Sequence, residues 1–151
     1  MVFDHDYSRF PELTNQQISE FGITSPHKQI VADFEGEVIR VHDGDTITMR
    51  TNFRDFDFPV RLLDIDAPEL NEGGEAAGNW LRSRILDKKV TIRVDKNERV
   101  GKYGRLLGKV ISGGLDLGLL MLSLGLVRAF GTPLPGEFPN PNRVFELSKW
   151  Y

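Results

Sequence analysis

Arg61-Leu62-Leu63-Asp64-Ile65-Asp66-Ala67-Pro68-Glu69 is the stretch of this chain most able to do chemistry. Leu62, Leu63 and Ile65 favour a buried strand, whereas Asp64, Asp66 and Glu69 are of the residue types least often buried without a partner. A strand ending in these carboxylates must deliver them to a rim where something cationic compensates them, and a bound metal ion would do so. An acidic turn with no further role has the same pattern, so the weight comes from the other segments. His5, His27 and His42 lack the spacing of a zinc site and read as surface or hydrogen-bonded histidines. The absence of cysteine excludes a disulfide framework and a thiolate metal site.

The elements that must position these carboxylates follow from periodicity and turn chemistry. Val38, Ile39 and Val41 form a β-rich run that stops at Asp43-Gly44-Asp45, and Thr46 to Arg50 then alternates, which is a hairpin pattern. A third strand is expected from Phe58 to Ile65. Ala77, Leu81 and Ile85, with Trp80 alongside, mark the buried face of a helix over 75–86, reached through Gly73-Gly74. Val90, Ile92 and Val94 alternate as a fourth strand, 96–104 is a polar basic turn, and 105–111 is the fifth strand. Leu117, Leu120, Met121 and Leu124 mark a second helix closed by Gly125. Five strands with helices after the third and fifth predict an α+β chain: a five-stranded barrel of the oligonucleotide/oligosaccharide-binding (OB) type with two or three helices.

This barrel is expected over residues 35–130. Before it, 1–34 forms an extension whose one short helix begins at Thr14, with Gln17 completing a capping box and Leu13 against Ile18 as a hydrophobic staple. After it, 131–151 is a tail carrying Pro133, Pro135, Pro139 and Pro141. No run of residues reaches the apolar length of a membrane helix, and the N-terminus lacks the basic-then-apolar order of a signal peptide, so a cytoplasmic monomer without membrane partners is the default expectation. The net charge of −3 conceals a reversal: residues 82–109 hold ten basic side chains against three acidic ones. Such a block suits a polyanion and equally a solvated basic face.

Four motifs, in order and at fitting separations, resemble those of the staphylococcal nuclease family over roughly residues 35–130. They are Asp43-Gly44-Asp45-Thr46, the Arg61–Glu69 segment, Lys102-Tyr103-Gly104-Arg105 and Leu124-Gly125-Leu126-Val127. The resemblance implies a calcium-dependent phosphodiesterase acting on DNA and/or RNA. It implies that Asp45, Asp66 and the backbone carbonyl of Ala67 hold Ca²⁺, a hard cation that prefers six to eight oxygen ligands. Glu69 would orient or deprotonate the attacking water. Arg61 and Arg105 would converge on the scissile phosphate at the rim, where a planar, permanently charged fork suits paired hydrogen bonds. Lys102 and Tyr103 would meet nucleotide phosphate and base.

The chain departs from that pattern in three places. Ala67 replaces a threonine, which leaves the carbonyl. The tyrosines that follow the second helix in the type enzyme are absent, Ala129-Phe130-Gly131 standing there instead, and no long C-terminal helix is evident. The alternative function is a non-catalytic OB-fold module of the same family that binds nucleic acid or protein, yet such a module needs neither both arginines nor all three carboxylates. A plain single-strand-binding barrel would want aromatic platforms and has no use for Asp45 and Asp66 on one rim.

Overall fold

The computed structural model describes residues 11–21, 28–68, 74–101 and 104–131. Its elements are α1 (Asn15–Phe21), β1 (Phe34–Val41), β2 (Thr46–Arg50), β3 (Phe58–Leu62), β4 (Ile65–Asp66), α2 (Gly74–Ile85), β5 (Lys89–Arg93), β6 (Leu106–Ser112), β7 (Leu115–Asp116), α3 (Leu117–Ser123) and β8 (Arg128–Ala129). Among the described residues, no helix is long and apolar enough to cross a membrane.

The five longer strands close into the expected barrel. Neighbours run β3-β2-β1-β5-β6, and closure comes from β3 pairing in parallel with β6, Val60 opposite Leu106 and Arg61 opposite Leu107. Alternation explains why these segments are strands: Val38, Val41, Ile47, Met49, Val60, Val90, Ile92 and Val110 all turn into one core. A register shift between Val38 and Arg40 bends β1 so that it serves two neighbours. Ala77, Leu81 and Ile85 bury the face of α2 that periodicity marked out. Thr14 and Gln17 exchange the two capping-box hydrogen bonds, at 2.9 and 3.1 Å, at the start of α1.

Two details differ from expectation. The third strand does not run to Ile65. It stops at Leu62, because Leu63 and Asp64 form a tight turn with Asp64 at φ 68°, and Ile65-Asp66 then pairs with Arg128-Ala129 as a separate two-stranded sheet. Leu124 is 54% exposed and lies just past α3, not on its buried face. Gly125, at φ 72°, does take the left-handed turn expected at the end of that helix. The prolines after residue 131 lie outside the described residues.

Candidate active site

The turn between β1 and β2 is held to β3 by the Leu62 N–H, which donates to the Asp45 carbonyl at 2.7 Å. Asp45 is almost fully buried. One of its carboxylate oxygens accepts from the Thr46 hydroxyl at 2.9 Å, and the other accepts from the Ala67 N–H at 3.0 Å. A carboxylate can survive there because donors and a cation surround it. Gly44 lets α2 approach: a Cβ at this position would lie 2.5 Å from Ala77 Cβ and 3.1 Å from Ala67 Cβ. Gly44→Ala is therefore expected to push α2 off the turn, costing about 1–3 kcal/mol in stability, and to slow cleavage by misplacing Asp45 and Ala67. Urea denaturation beside a cleavage assay checks this, and a variant matching the parent in both would refute the packing argument.

Arg61 is the hub. Its Nη1 donates to the carbonyls of Leu62, at 2.6 Å, and Ile65, at 2.9 Å, bracing the turn that separates β3 from β4. Its Nη2 stands 3.6 Å from Asp45 Oδ2 and 3.6 Å from Asp66 Oδ1. The Phe130 ring covers the guanidinium with its centroid 5.8 Å away. Arg61 is thus only 7% exposed, which corrects the expectation that it sits at an open rim. The other Asp66 oxygen, Oδ2, accepts from Arg128 Nε and Nη2 at 3.3 and 3.2 Å.

Arg105 precedes β6, which the β3–β6 pairing sets beside Arg61. It is half-buried, and among the described residues its side chain makes no hydrogen bond or ion pair. Burial, and then the neighbouring Arg61 charge, lower its pKa, against the opposing pull of Asp45 and Asp43. Asp43 is pushed up to about 6 by burial, by a hydrogen bond with Asp45 and by repulsion from that carboxylate. Burial also opposes ionisation of Asp45, but Arg61, Asp43, the Ala67 N–H and the Thr46 hydroxyl outweigh it and hold its pKa below the ordinary carboxylate range. The pair thus holds one negative charge firmly, on Asp45, and a second loosely, on Asp43.

Of the residues expected from the sequence, the structure brings together Asp45, Asp66, Ala67, Arg61 and Arg105. Glu69, Lys102 and Tyr103 lie outside the described residues. Asp43 and Arg128 were not expected in the site. Asp43 belongs to the recognised Asp-Gly-Asp turn, and only its burial marks it out; Arg128 had no local signal, because its partner Asp66 is 62 residues away. The basic block is divided: Arg99 is buried, Arg82 donates to the Val41 carbonyl and Lys109 faces Asp64 at 3.9 Å, while Arg84, over the Trp80 ring, and Lys88, Lys89, Arg93 and Lys96 are exposed.

The donors here are carboxylate oxygens that share one guanidinium, which is chemistry that suits a hard divalent cation. Among the described residues, no group of three or more histidines and carboxylates is arranged to hold one. Asp45 and Asp66 would therefore need the substrate, water or residues beyond those described to complete a shell.

The fold is that of a small closed barrel of the OB type, and acidic and guanidinium groups gather around the turn between β3 and β4. The chain belongs to the staphylococcal nuclease family: the family described as "Staphylococcal nuclease homologue" matches residues 59–137. A micrococcal nuclease of Shigella flexneri is 46% identical over 135 residues, covering 79% of this chain and 75% of that protein. An uncharacterized endonuclease of Escherichia coli is 34% identical over 98 residues, covering 64% of this chain and 61% of that one. A probable endonuclease of Colletotrichum graminicola is 34% identical over 113 residues, and this chain spans 40% of its length.

Proposed function

We propose that this chain is a nuclease that hydrolyses phosphodiester bonds of DNA and/or RNA with the help of Ca²⁺. The observation that carries the reading is Arg105: a half-buried arginine without a described partner, set beside Arg61, Asp45 and Asp43. A cation placed so costs desolvation that the pull of Asp45 and Asp43 does not offset, and an incoming phosphate would repay it.

Asp45 and Asp66 would hold the ion, with the Ala67 carbonyl beside them. When bound, Ca²⁺ supplies charge neutralisation of the phosphodiester and polarisation of phosphorus. Water adds to phosphorus as the bond to the 5′ oxygen breaks, and the proton lost by the water ends on the leaving oxygen. Glu69 is assigned to that water through the resemblance alone. Arg105 donates to the phosphoryl oxygens as their charge grows, and Arg61, already fixed by two carbonyls, holds both aspartates in place and faces the same charge. Lys102 and Tyr103 are assigned to the nucleotide on the same footing as Glu69.

The test is cleavage of single-stranded DNA, duplex DNA and RNA by the purified chain with Ca²⁺, with Mg²⁺ or with excess chelator. Cleavage with Ca²⁺, little with Mg²⁺ and none with chelator is expected, since the stricter octahedral shell of Mg²⁺ would reposition both aspartates. Full cleavage in chelator would remove the metal from the mechanism. Binding without cleavage under every condition would favour the binding-module alternative.

A further inference from the structure

The segment before the barrel is wired into the turn that carries Arg105. Glu12 is fully buried, and its carboxylate accepts from the Ile30 N–H at 3.1 Å and pairs with Arg54 and with Arg99, the latter at 3.5 Å. Arg99, only 3% exposed, spends its remaining donors on the same segment. Its Nε reaches the Ile30 carbonyl at 2.8 Å, and its Nη1 reaches the Leu13 carbonyl at 3.1 Å and Asn15 Oδ1 at 2.8 Å. The Asn15 amide then donates to the Lys96 carbonyl at 2.9 Å. One end of the 96–105 turn is therefore fastened at two points to residues 12–15 and 30.

Arg105 leaves the other arm of that turn. The Leu107 N–H donates to the Arg99 carbonyl and the Gly101 N–H to the Arg105 carbonyl, both at 2.9 Å, flanking a Val100–Leu106 bridge. These bonds couple the backbone of Arg105 to that of Arg99 across a two-stranded ladder. Arg105 itself has no described side-chain partner to fix its place. We propose that Arg99, clamped by Glu12 and Asn15, is a positioning residue for Arg105, so that the segment before the barrel sets the catalytic geometry from outside the site. The proposal rests on the catalytic reading of Arg105. Its physical basis is that a preorganised donor must be held closely, and a misplacement near 1 Å costs on the order of 10²-fold in rate.

The experiment is a double-mutant cycle in single-turnover cleavage at saturating Ca²⁺, well below the melting temperature of every variant. Arg99→Lys keeps the charge but loses the fork. Asn15→Ala removes an exposed side chain and two ties to the turn, so it tests the same tether where the fold is least at risk. Each is expected to lower kcat, Arg99→Lys on the order of 10-fold, with KM little changed. In an Arg105→Lys background neither is expected to lower the rate further, while melting shifts of the paired changes add. Rate losses that multiply with that of Arg105→Lys, or parent-like rates for both Arg99→Lys and Asn15→Ala, would overturn the tether. Parent-like cleavage by Arg105→Lys alone would instead overturn the catalytic reading, and the tether with it.

Discussion

Replacing Arg105 with lysine is expected to slow cleavage by roughly 10²-fold or more while the fold stays intact, the scale of losing one preorganised donor to a developing charge. Lysine retains the positive charge, so the loss isolates the planar fork and its paired hydrogen bonds. Because the Arg105 side chain makes no hydrogen bond or ion pair among the described residues, its replacement sacrifices no described polar contact. Arg61→Lys should differ in kind. It gives up the bonds to the Leu62 and Ile65 carbonyls as well as the position between Asp45 and Asp66, so a comparable rate loss is expected together with about 1–3 kcal/mol of stability. Single-turnover rates and urea denaturation of the two variants side by side make the check. If Arg105→Lys cleaves like the parent, the assignment of Arg105 to the phosphate is wrong.

The second large effect is on stability and lies far from the site. Glu12→Gln is expected to destabilise the chain by about 3–5 kcal/mol, because the neutral amide leaves Arg54 and Arg99 as buried cations without their counter-charge. Arg54 has little to fall back on. Among the described residues its Nε and Nη1 have no hydrogen-bond partner, and beyond Glu12 it has the Lys28 carbonyl at 2.8 Å and the rings of Phe56 and Phe58, 5.2 and 4.7 Å from its guanidinium carbon. By contrast Asp57→Asn, which breaks the exposed pair with Arg50, should leave stability nearly unchanged, because water and salt screen that pair. Chemical denaturation at neutral pH distinguishes the two, and equal losses from both would mean that the buried pairs contribute no more than surface ones.

Much of the barrel was readable from local pattern, since alternation and turn chemistry depend on neighbours two to four residues apart. The hairpin around Asp43-Gly44-Asp45, the buried face of α2 and the capping box at Thr14 are all signals of that kind, and each stands where its residues place it. The motif residues likewise named Asp45, Asp66, Arg61 and Arg105. What those residues do to one another could not be read locally. The apolar run from Phe58 to Ile65 gives no sign that it breaks at Asp64, because the break is compensated by β4 pairing with β8 and by Arg61 reaching back to two carbonyls.

Only closure of β3 on β6 brings Arg105 beside Arg61 and the Asp43–Asp45 pair, and closure is a pairing between segments more than forty residues apart. Gly44 looks in the sequence like half of an ordinary turn; its need to be glycine arises from Ala77 of a helix packed on it. Glu12 and Arg99, 87 residues apart, had no reason in the sequence to be joined, and one read as part of a polar extension while the other read as part of a basic face. The sequence by itself determined the five longer strands and the helices and singled out the side chains assigned to the chemistry, because periodicity and residue type act at short range. The tertiary structure decided which charges are buried, which cation each carboxylate faces and what holds the Arg105 turn in place, because burial and ion pairing exist only once distant segments share one dry space.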